Sequence, residues 1–303
     1  MSLHIATHPD YDAGFPAAHR FPMGKYSELM KALGERGLLA PGFVHRPAPA
    51  PASWLALAHD RTYVDQVIAC AVPRQIEREI GFPIVERTSR RARLASGGTI
   101  LAARLALEHG LACNTAGGSH HARRAQGAGF CTLNDVAVAS LVLLAEGLAE
   151  NILIVDLDVH QGDGTAEILR EEPRAFTFSM HGEPNYPARK AASDWDVALP
   201  DGTGDEPYLD RLAGALSRLG EMPRWDFVFY NAGVDVHAQD RLGRLALSDA
   251  GLRARERMVI GHFRRLGTPV CGVLGGGYSQ DLPALAARHA VLFEAAAEFS
   301  GAG

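Results

Sequence analysis

Asp156-Leu157-Asp158-Val159-His160-Gln161-Gly162-Asp163 places three acids and a histidine within eight residues, directly after the apolar run Ile152-Leu153-Ile154-Val155. Carboxylates beside a core are costly unless something compensates their charge. In an extended segment the side chains alternate, so Asp156, Asp158 and His160 point the same way. A metal ion would supply the missing positive charge. A mixed carboxylate and imidazole set suits Zn²⁺, and Fe²⁺ or another first-row ion is also compatible. Two ligands do not make a site, and Asp235, after the apolar run Phe227–Tyr230, is the best third. The plainer alternative has these acids capping helices or pairing with arginines, and Asp163 alone reads well as a helix cap.

Beside an open metal position, His120-His121 acquires a task. Water that attacks a carbonyl must lose a proton, and histidine has a suitable pKa. Asp156 and Asp163 are surplus to a three-ligand site, and they suit hydrogen bonds that orient the two imidazoles. Tyr278 follows Gly275-Gly276-Gly277. It reads either as a rim aromatic at a turn or as a phenol aimed at a developing oxyanion. The glycine run lacks G-x-G-x-x-G spacing, and no P-loop or G-x-S-x-G elbow occurs.

Elements must bring these segments together. Ile152–Val155, Ala175–Phe178, Phe227–Tyr230 and Val270–Leu274 read as buried strands. Each follows a helical pattern, in Leu133–Leu148, a short segment from Asp163, Pro207–Leu219 and Ser248–Leu266; a last helix spans Leu282–Phe299. Leu3–Thr7 and Phe43–Arg46 suit strands, Gly24–Arg36 and Glu86–His109 suit helices, and Pro47–Pro51 a loop. Apolar strands alternating with helices imply an α/β fold with a mainly parallel sheet covered on both faces. Reactive residues in such sheets gather beyond the carboxyl ends of the strands. The segments after the strands, with Gly117-Gly118-Ser119-His120-His121 after a weaker one, should therefore meet on one rim.

Composition sets the outer bounds. The chain has 303 residues, 47% hydrophobic and 21% charged, enough for a large core and long for one domain but within the range of a single large α/β unit; residues 1–303 read as a single domain. A net charge of −5 without a long basic block argues against a direct nucleic-acid partner. The basic stretch Arg87–Arg93 reads as a solvated helix face or ion-pair network. Four scattered cysteines form no C-x-x-C pair, against a disulfide framework or zinc knuckle. Met1–Ala6 shows no signal-peptide pattern, and Val136–Leu144 is too short to span a bilayer, so a cytoplasmic protein without a membrane partner is expected. His4, His8, His45, His59, His109, His262 and His289 show no ligand spacing and read as surface or satisfied core residues; His19, His181 and His237 lie nearer the motifs.

Five ordered segments together resemble the histone deacetylases: Gly117–Ala122, Gly129–Asp135, Asp156–Asp163, Asn231–Asp235 and Gly275–Tyr278. His19–Tyr26, and Asp235 followed by Asp240-Arg241-Leu242-Gly243, are similar to bacterial and class IV members. The resemblance implies the arginase/deacetylase fold, with about eight mainly parallel strands and helices on both faces. It implies removal of an acyl group, acetyl or longer, from a lysine or other amine nitrogen. By it Asp158, His160 and Asp235 are zinc ligands, His121 is the general base oriented by Asp163, and His120 is the second histidine, oriented by Asp156. Tyr278 polarises the carbonyl. Gly129 and Phe130 wall a substrate tunnel, with Tyr186 where class I enzymes carry a second tunnel phenylalanine. Asp156 and Ser179 match side-chain ligands of a monovalent-cation site, usually holding K⁺. Ile80–Val85 lacks the rim aspartate with which class I enzymes grip a peptide backbone. An arginase-type binuclear site would need a late D-x-D-x-x-D run, which the residues after Asp235 do not supply. An acetylpolyamine or small-amide deacylase, or a non-catalytic binding protein, are the competing readings.

Overall fold

Ile152 and Ile154 put aliphatic side chains on one face of a strand, Leu153 and Val155 on the other, and all four are buried. Such a strand needs cover on both sides. The computed structural model describes residues 3–222 and 224–301. Met1, Ser2, Pro223, Ala302 and Gly303, and with them the ends of the expected 1–303 span and the start of Met1–Ala6, lie outside the described residues.

Among the described residues eight strands form one parallel sheet: β1 (His4–Ala6), β2 (Val44–His45), β3 (Leu111–Asn114), β4 (Ile152–Asp156), β5 (Ala175–Gly182), β6 (Trp195–Leu199), β7 (Phe227–Asn231) and β8 (Val270–Val273). Their order is β2-β1-β3-β8-β7-β4-β5-β6. Helices α1 (Lys25–Glu35), α8 (Asp205–Glu221), α9 (Asp249–Arg265) and α10 (Leu282–Phe299) cover the Leu153 and Val155 face, through residues such as Leu29, Leu212, Val259 and Leu292. Helices α2 (Ala52–Ala58), α3 (Arg61–Ile68), α6 (Asp135–Ala145) and α7 (Asp163–Leu169) cover the Ile152 and Ile154 face, through Leu55, Val64, Val136 and Ile168. The long α5 (Glu86–His109) contributes to both layers, and α4 (Arg74–Ile80) ends beside the site. Each aliphatic side chain so buried is worth about 1.5–3 kcal/mol. Those two apolar layers hold the polar rim in place.

Three features depart from expectation. Helices α2, α3 and α4 are seven or eight residues long, too short for a 3.6-residue period to show in sequence. The basic face proposed for Arg87–Arg93 fails at Arg91, which is buried. Its guanidinium donates to the Tyr11 carbonyl at 3.0 Å and to the Tyr26 hydroxyl, and packs over the Tyr26 ring. His289 is buried without being satisfied, since neither ring nitrogen meets a hydrogen-bond partner among the described residues. No helix among the described residues is long and apolar enough to cross a membrane.

Candidate active site

Strands β3, β8, β7 and β4 are neighbours in the middle of the sheet. The segments leaving their carboxyl ends are 115–121, 274–278, 232–235 and 157–163, so the expected convergence on one rim occurs. Leu157 and Val159 are fully buried in the core, and their alternation turns Asp158 and His160 toward the rim. The pairing of Asp156 with Asn231 across β4 and β7 sets the two acidic segments side by side. Asp158, His160 and Asp235, all buried, bring ligand atoms within 4.8 Å of one another. His160 Nδ1 lies 2.9 Å from Asp158 and 3.1 Å from Asp235. Glycine is required close by: a Cβ on Gly276 would stand 2.0 Å from Asp235 Oδ2, and the Gly276 N–H donates to Asp158 at 2.6 Å.

This cluster draws positive charge. Burial alone would lower the His160 imidazole, but Asp158 and Asp235 outweigh it and raise it to about 10. Burial, and then Asp158, pushes the Asp235 carboxyl up to about 7. Two buried carboxylates that close repel unless a cation sits between them. The donor set therefore fits a divalent metal ion.

Asp156 leaves the cluster and serves His120, as the second role expected for it requires. His120 Nδ1 lies 2.7 Å from Asp156, and His121 Nδ1 lies 2.6 Å from Asp163. Asp163 is the first residue of α7 rather than its cap, and its other oxygen accepts from Arg123 at 2.8 Å. The two Nε2 atoms of His120 and His121 face each other at 3.1 Å. Burial lowers both rings. Asp156 and Asp158 overcome it and raise His120 to about 9, whereas His121, beside a cationic His120, falls to about 4. The carboxylates thus favour the charged form of His120, while burial and that charge favour the neutral form of His121. Burial, then the Asp158 and Asp235 carboxylates, hold the Tyr278 phenol well above its ordinary range, so it keeps its proton.

A cavity of about 340 Å³ leads to these groups, walled by Phe130, Tyr186 and Leu242 and ending at His121, His160 and Tyr278. Gly129 has φ +54, and a Cβ there would lie 2.6 Å from the His121 ring. Tyr186 meets the His121 ring edge to face, with centroids 4.7 Å apart. Beyond the cluster lies a void of only about 20 Å³, bounded by Tyr26, Arg91, His120, Gly276 and Tyr278 among others. Ser179 neighbours Asp156 across β4 and β5, and its hydroxyl bonds His181 at 3.0 Å.

Several supporting residues escaped sequence reasoning. Arg123 had no local signal; Asp240 stood in a segment that carried the resemblance but without a role, and it accepts from the Tyr278 N–H at 2.7 Å and so sets the tyrosine's backbone. The buried Lys25 donates to the Gly275 carbonyl at 3.2 Å, and burial lowers it to about 8. Asn134 and Asp135 stood inside a quoted motif without a role. Asn134 caps α6 and bonds the Ala122 carbonyl at 3.1 Å, while Asp135 accepts from the Ser119 N–H at 2.8 Å.

Comparison with known proteins agrees. A family profile described as histone deacetylase domain matches residues 19–293. An uncharacterised protein of Picosynechococcus sp. is 48% identical over 296 residues, covering 98% of this chain and 99% of that protein. Histone deacetylase 2 of Arabidopsis thaliana is 30% identical over 277 residues, covering 88% of this chain and 72% of that protein. The crystal structure of the HDA15 HD domain superposes with a TM-score of 0.82 at 24% identity, covering 96% of this chain and 90% of that one, which shows the shared fold. With most of its length matched, the chain belongs to the histone deacetylase family, and it is a hydrolase of amide bonds.

Proposed function

We propose that residues 1–303 act as one catalytic domain that removes an acetyl or similarly short acyl group from an extended amine such as a lysine side chain, with zinc held by Asp158, His160 and Asp235. The carrying observation is the placement of three buried ligand residues opposite two carboxylate-bound imidazoles, at the end of an apolar-walled cavity. When bound, the metal supplies Lewis acidity toward the amide carbonyl and the attacking water.

The chain's own residues do the rest. His121, neutral and tied through Nδ1 to Asp163, offers Nε2 to take the water's proton. His120, tied to Asp156, stands beside it with its Nε2 3.1 Å from that of His121, and the proton His121 takes from the water is then returned to the departing amine. Tyr278 donates its O–H to the oxyanion, a contact worth roughly 10²–10³ in rate. Phe130, Tyr186 and Leu242 exclude water from the alkyl stem. Asp156 and Ser179, adjacent across two strands, would supply side-chain ligands for the monovalent-cation site that many members of the family carry, usually holding K⁺.

Space supports a short acyl group. An amide has two substituents, and only one can leave by the open cavity. The other must fit a void the size of one water molecule. A long amine outward and an acetyl inward satisfy both.

Hydrolysis of a lysine series from acetyl to myristoyl, with acetylated putrescine and spermidine, tests this together with zinc content. Expected is zinc-dependent turnover, greatest for acetyl, with kcat lowered about 10²–10³-fold in Tyr278→Phe. Preference for myristoyl would refute the short-acyl assignment, and no turnover by zinc-loaded protein would leave a binding role.

A further inference from the structure

The charge at the cavity mouth runs against the charge of the chain. Arg20, Arg78, Arg244 and Glu79 line the opening, three guanidiniums against one carboxylate, on a chain of net charge −5. Among the described residues Arg20 and Arg78 have no ion-pair or hydrogen-bond partner. Arg244 has one 3.5 Å contact with Asp201 in which both side chains are at least half exposed, a pair of little strength. The Glu79 carboxylate accepts from Gln126 at 2.5 Å.

These cations sit on three separate, fixed segments. The end of α4 is pinned to the cavity wall, because the Gly129 and Phe130 N–H groups donate to the Glu79 and Ile80 carbonyls at 2.9 and 2.8 Å. Arg20 lies between His19 and Phe21, whose rings lean on Phe130 with centroids 6.5 and 5.5 Å away. Arg244 follows Gly243, whose N–H is held by Asp240 at 2.9 Å. An unpaired guanidinium is a planar fork of donors matched to a carboxylate. Several around one opening repel a second cation and attract an anion.

We propose that the substrate carries a carboxylate close to its acylated nitrogen, and that Arg20, Arg78 and Arg244 select it over acylated polyamines. This rests on the deacylase reading of the site. Either the α-carboxylate of a free acyl-lysine or an acidic side chain flanking an acyl-lysine in a peptide provides that chemistry. A polyamine would instead bring further positive charge to a mouth that is already positive.

The test is steady-state kinetics of the zinc-loaded enzyme on acetyl-lysine peptides flanked by Glu, Gln or Lys. Free acetyl-lysine and its carboxyl amide, and acetylputrescine, complete the set. The Glu-flanked peptide should exceed the Lys-flanked one by about 3–10-fold in kcat/KM, the size of one or two exposed ion pairs, mainly through KM. The gap should shrink in high salt. It should reverse in the double variant Arg20→Glu, Arg78→Glu, where the ratio within one preparation is insensitive to any loss of folded protein. Free acetyl-lysine outrunning its amide more than Glu outruns Gln identifies the α-carboxylate as the source; the opposite ranking identifies the flanking side chain. Equal rates across the charge series, or preference for the Lys-flanked peptide or acetylputrescine, overturns the inference while leaving the deacylase reading intact. Turnover of no member overturns both.

Discussion

Two histidine triplets occupy opposite ends of the sheet. His120, His121 and His160 sit at the carboxyl ends of the central strands, each with Nδ1 within 2.9 Å of a buried carboxylate. His4, His45 and His109 gather on the β1 side, near the amino ends of β1 and β3. There His4 Nδ1 meets His45 Nε2 at 3.0 Å, and the His4 ring stacks on His109 at 3.8 Å with planes 3° apart. The acid contact seen there is a 3.6 Å approach of the largely exposed Glu108 to His109. Residue type is the same in the two triplets, although the rim histidines are buried and His4, His45 and His109 are half-buried or exposed. Beyond burial, what separates them is commitment: one nitrogen given to an acid aims the other at a shared point, whereas rings that commit to each other aim at nothing.

The sharpest way to break this contrast is at the ligand cluster. Asp235→Ala should take up no stoichiometric zinc by elemental analysis, and turnover should fall by more than the roughly 10³-fold that loss of an oxyanion donor costs. Full zinc occupancy with activity retained would remove the distinction between the triplets. His59 offers a second, smaller probe, since it is as buried as the site histidines but both nitrogens go to backbone. Its Nδ1 donates to the Arg123 carbonyl at 2.8 Å and its Nε2 accepts from the Asn134 N–H at 2.9 Å. Burial lowers it to about 4, against an ordinary 6.5. Between those values the unfolded chain binds a proton that the folded chain refuses, so stability is complete above pH 6.5 and is lost as pH falls toward 4. The loss is about 3 kcal/mol. Urea unfolding of metal-free protein should therefore show a shallower acid dependence in His59→Gln than in the parent, and equal slopes would refute this.

Much of this was legible because strand, turn and acid occur together in sequence. The runs before Asp156, Asn231 and Gly275 are short segments without a charged residue, mostly apolar, as parallel strands buried on both faces require. The ligand residues follow two of those runs closely, while His120 and His121 follow the weaker strand β3. The roles of Arg123, Asp240 and Lys25 were not legible, although the last two stood in segments that carried the resemblance. Their roles exist only through contacts with Asp163, the Tyr278 backbone and the Gly275 carbonyl, the last 250 residues away in sequence. Arg91 was misread for the same reason, since a guanidinium on a helix looks solvated until Tyr11 and Tyr26 are seen to enclose it.

Asp163→Asn converts His121 toward the uncommitted state of the other triplet. It keeps the shape of the side chain and removes the charge. Zinc content should be unchanged, because Asp163 is not among the ligand residues, and kcat should fall about 10–100-fold, as for loss of a supporting partner of a catalytic or ligating imidazole. Arg123, left facing a neutral amide, deepens the loss, so Arg123→Ala combined with Asp163→Asn should cost less than the two separate losses multiplied. Independent, fully multiplicative effects would mean that Asp163 acts without Arg123.

The smallest effect is expected from His4→Ala together with His109→Ala. The four residues of β3 alone separate His109 from the site segment by about 13 Å, and no acid aims either ring toward it. Two rings stacked with planes 3° apart direct their lone pairs in parallel, so they cannot converge on one metal ion. Zinc uptake should therefore stay at the same equivalent as in the parent, and kcat/KM should stay within about twofold, the range of substitutions remote from special sites. His4 is held below its ordinary value by burial first, then by His109 and His45, so the double variant should change only the weak acid dependence of stability at this edge. A tenfold loss of activity would show that the β1 edge is coupled to the rim through β3. Orientation by carboxylates would then no longer be sufficient to tell a working histidine cluster from an idle one.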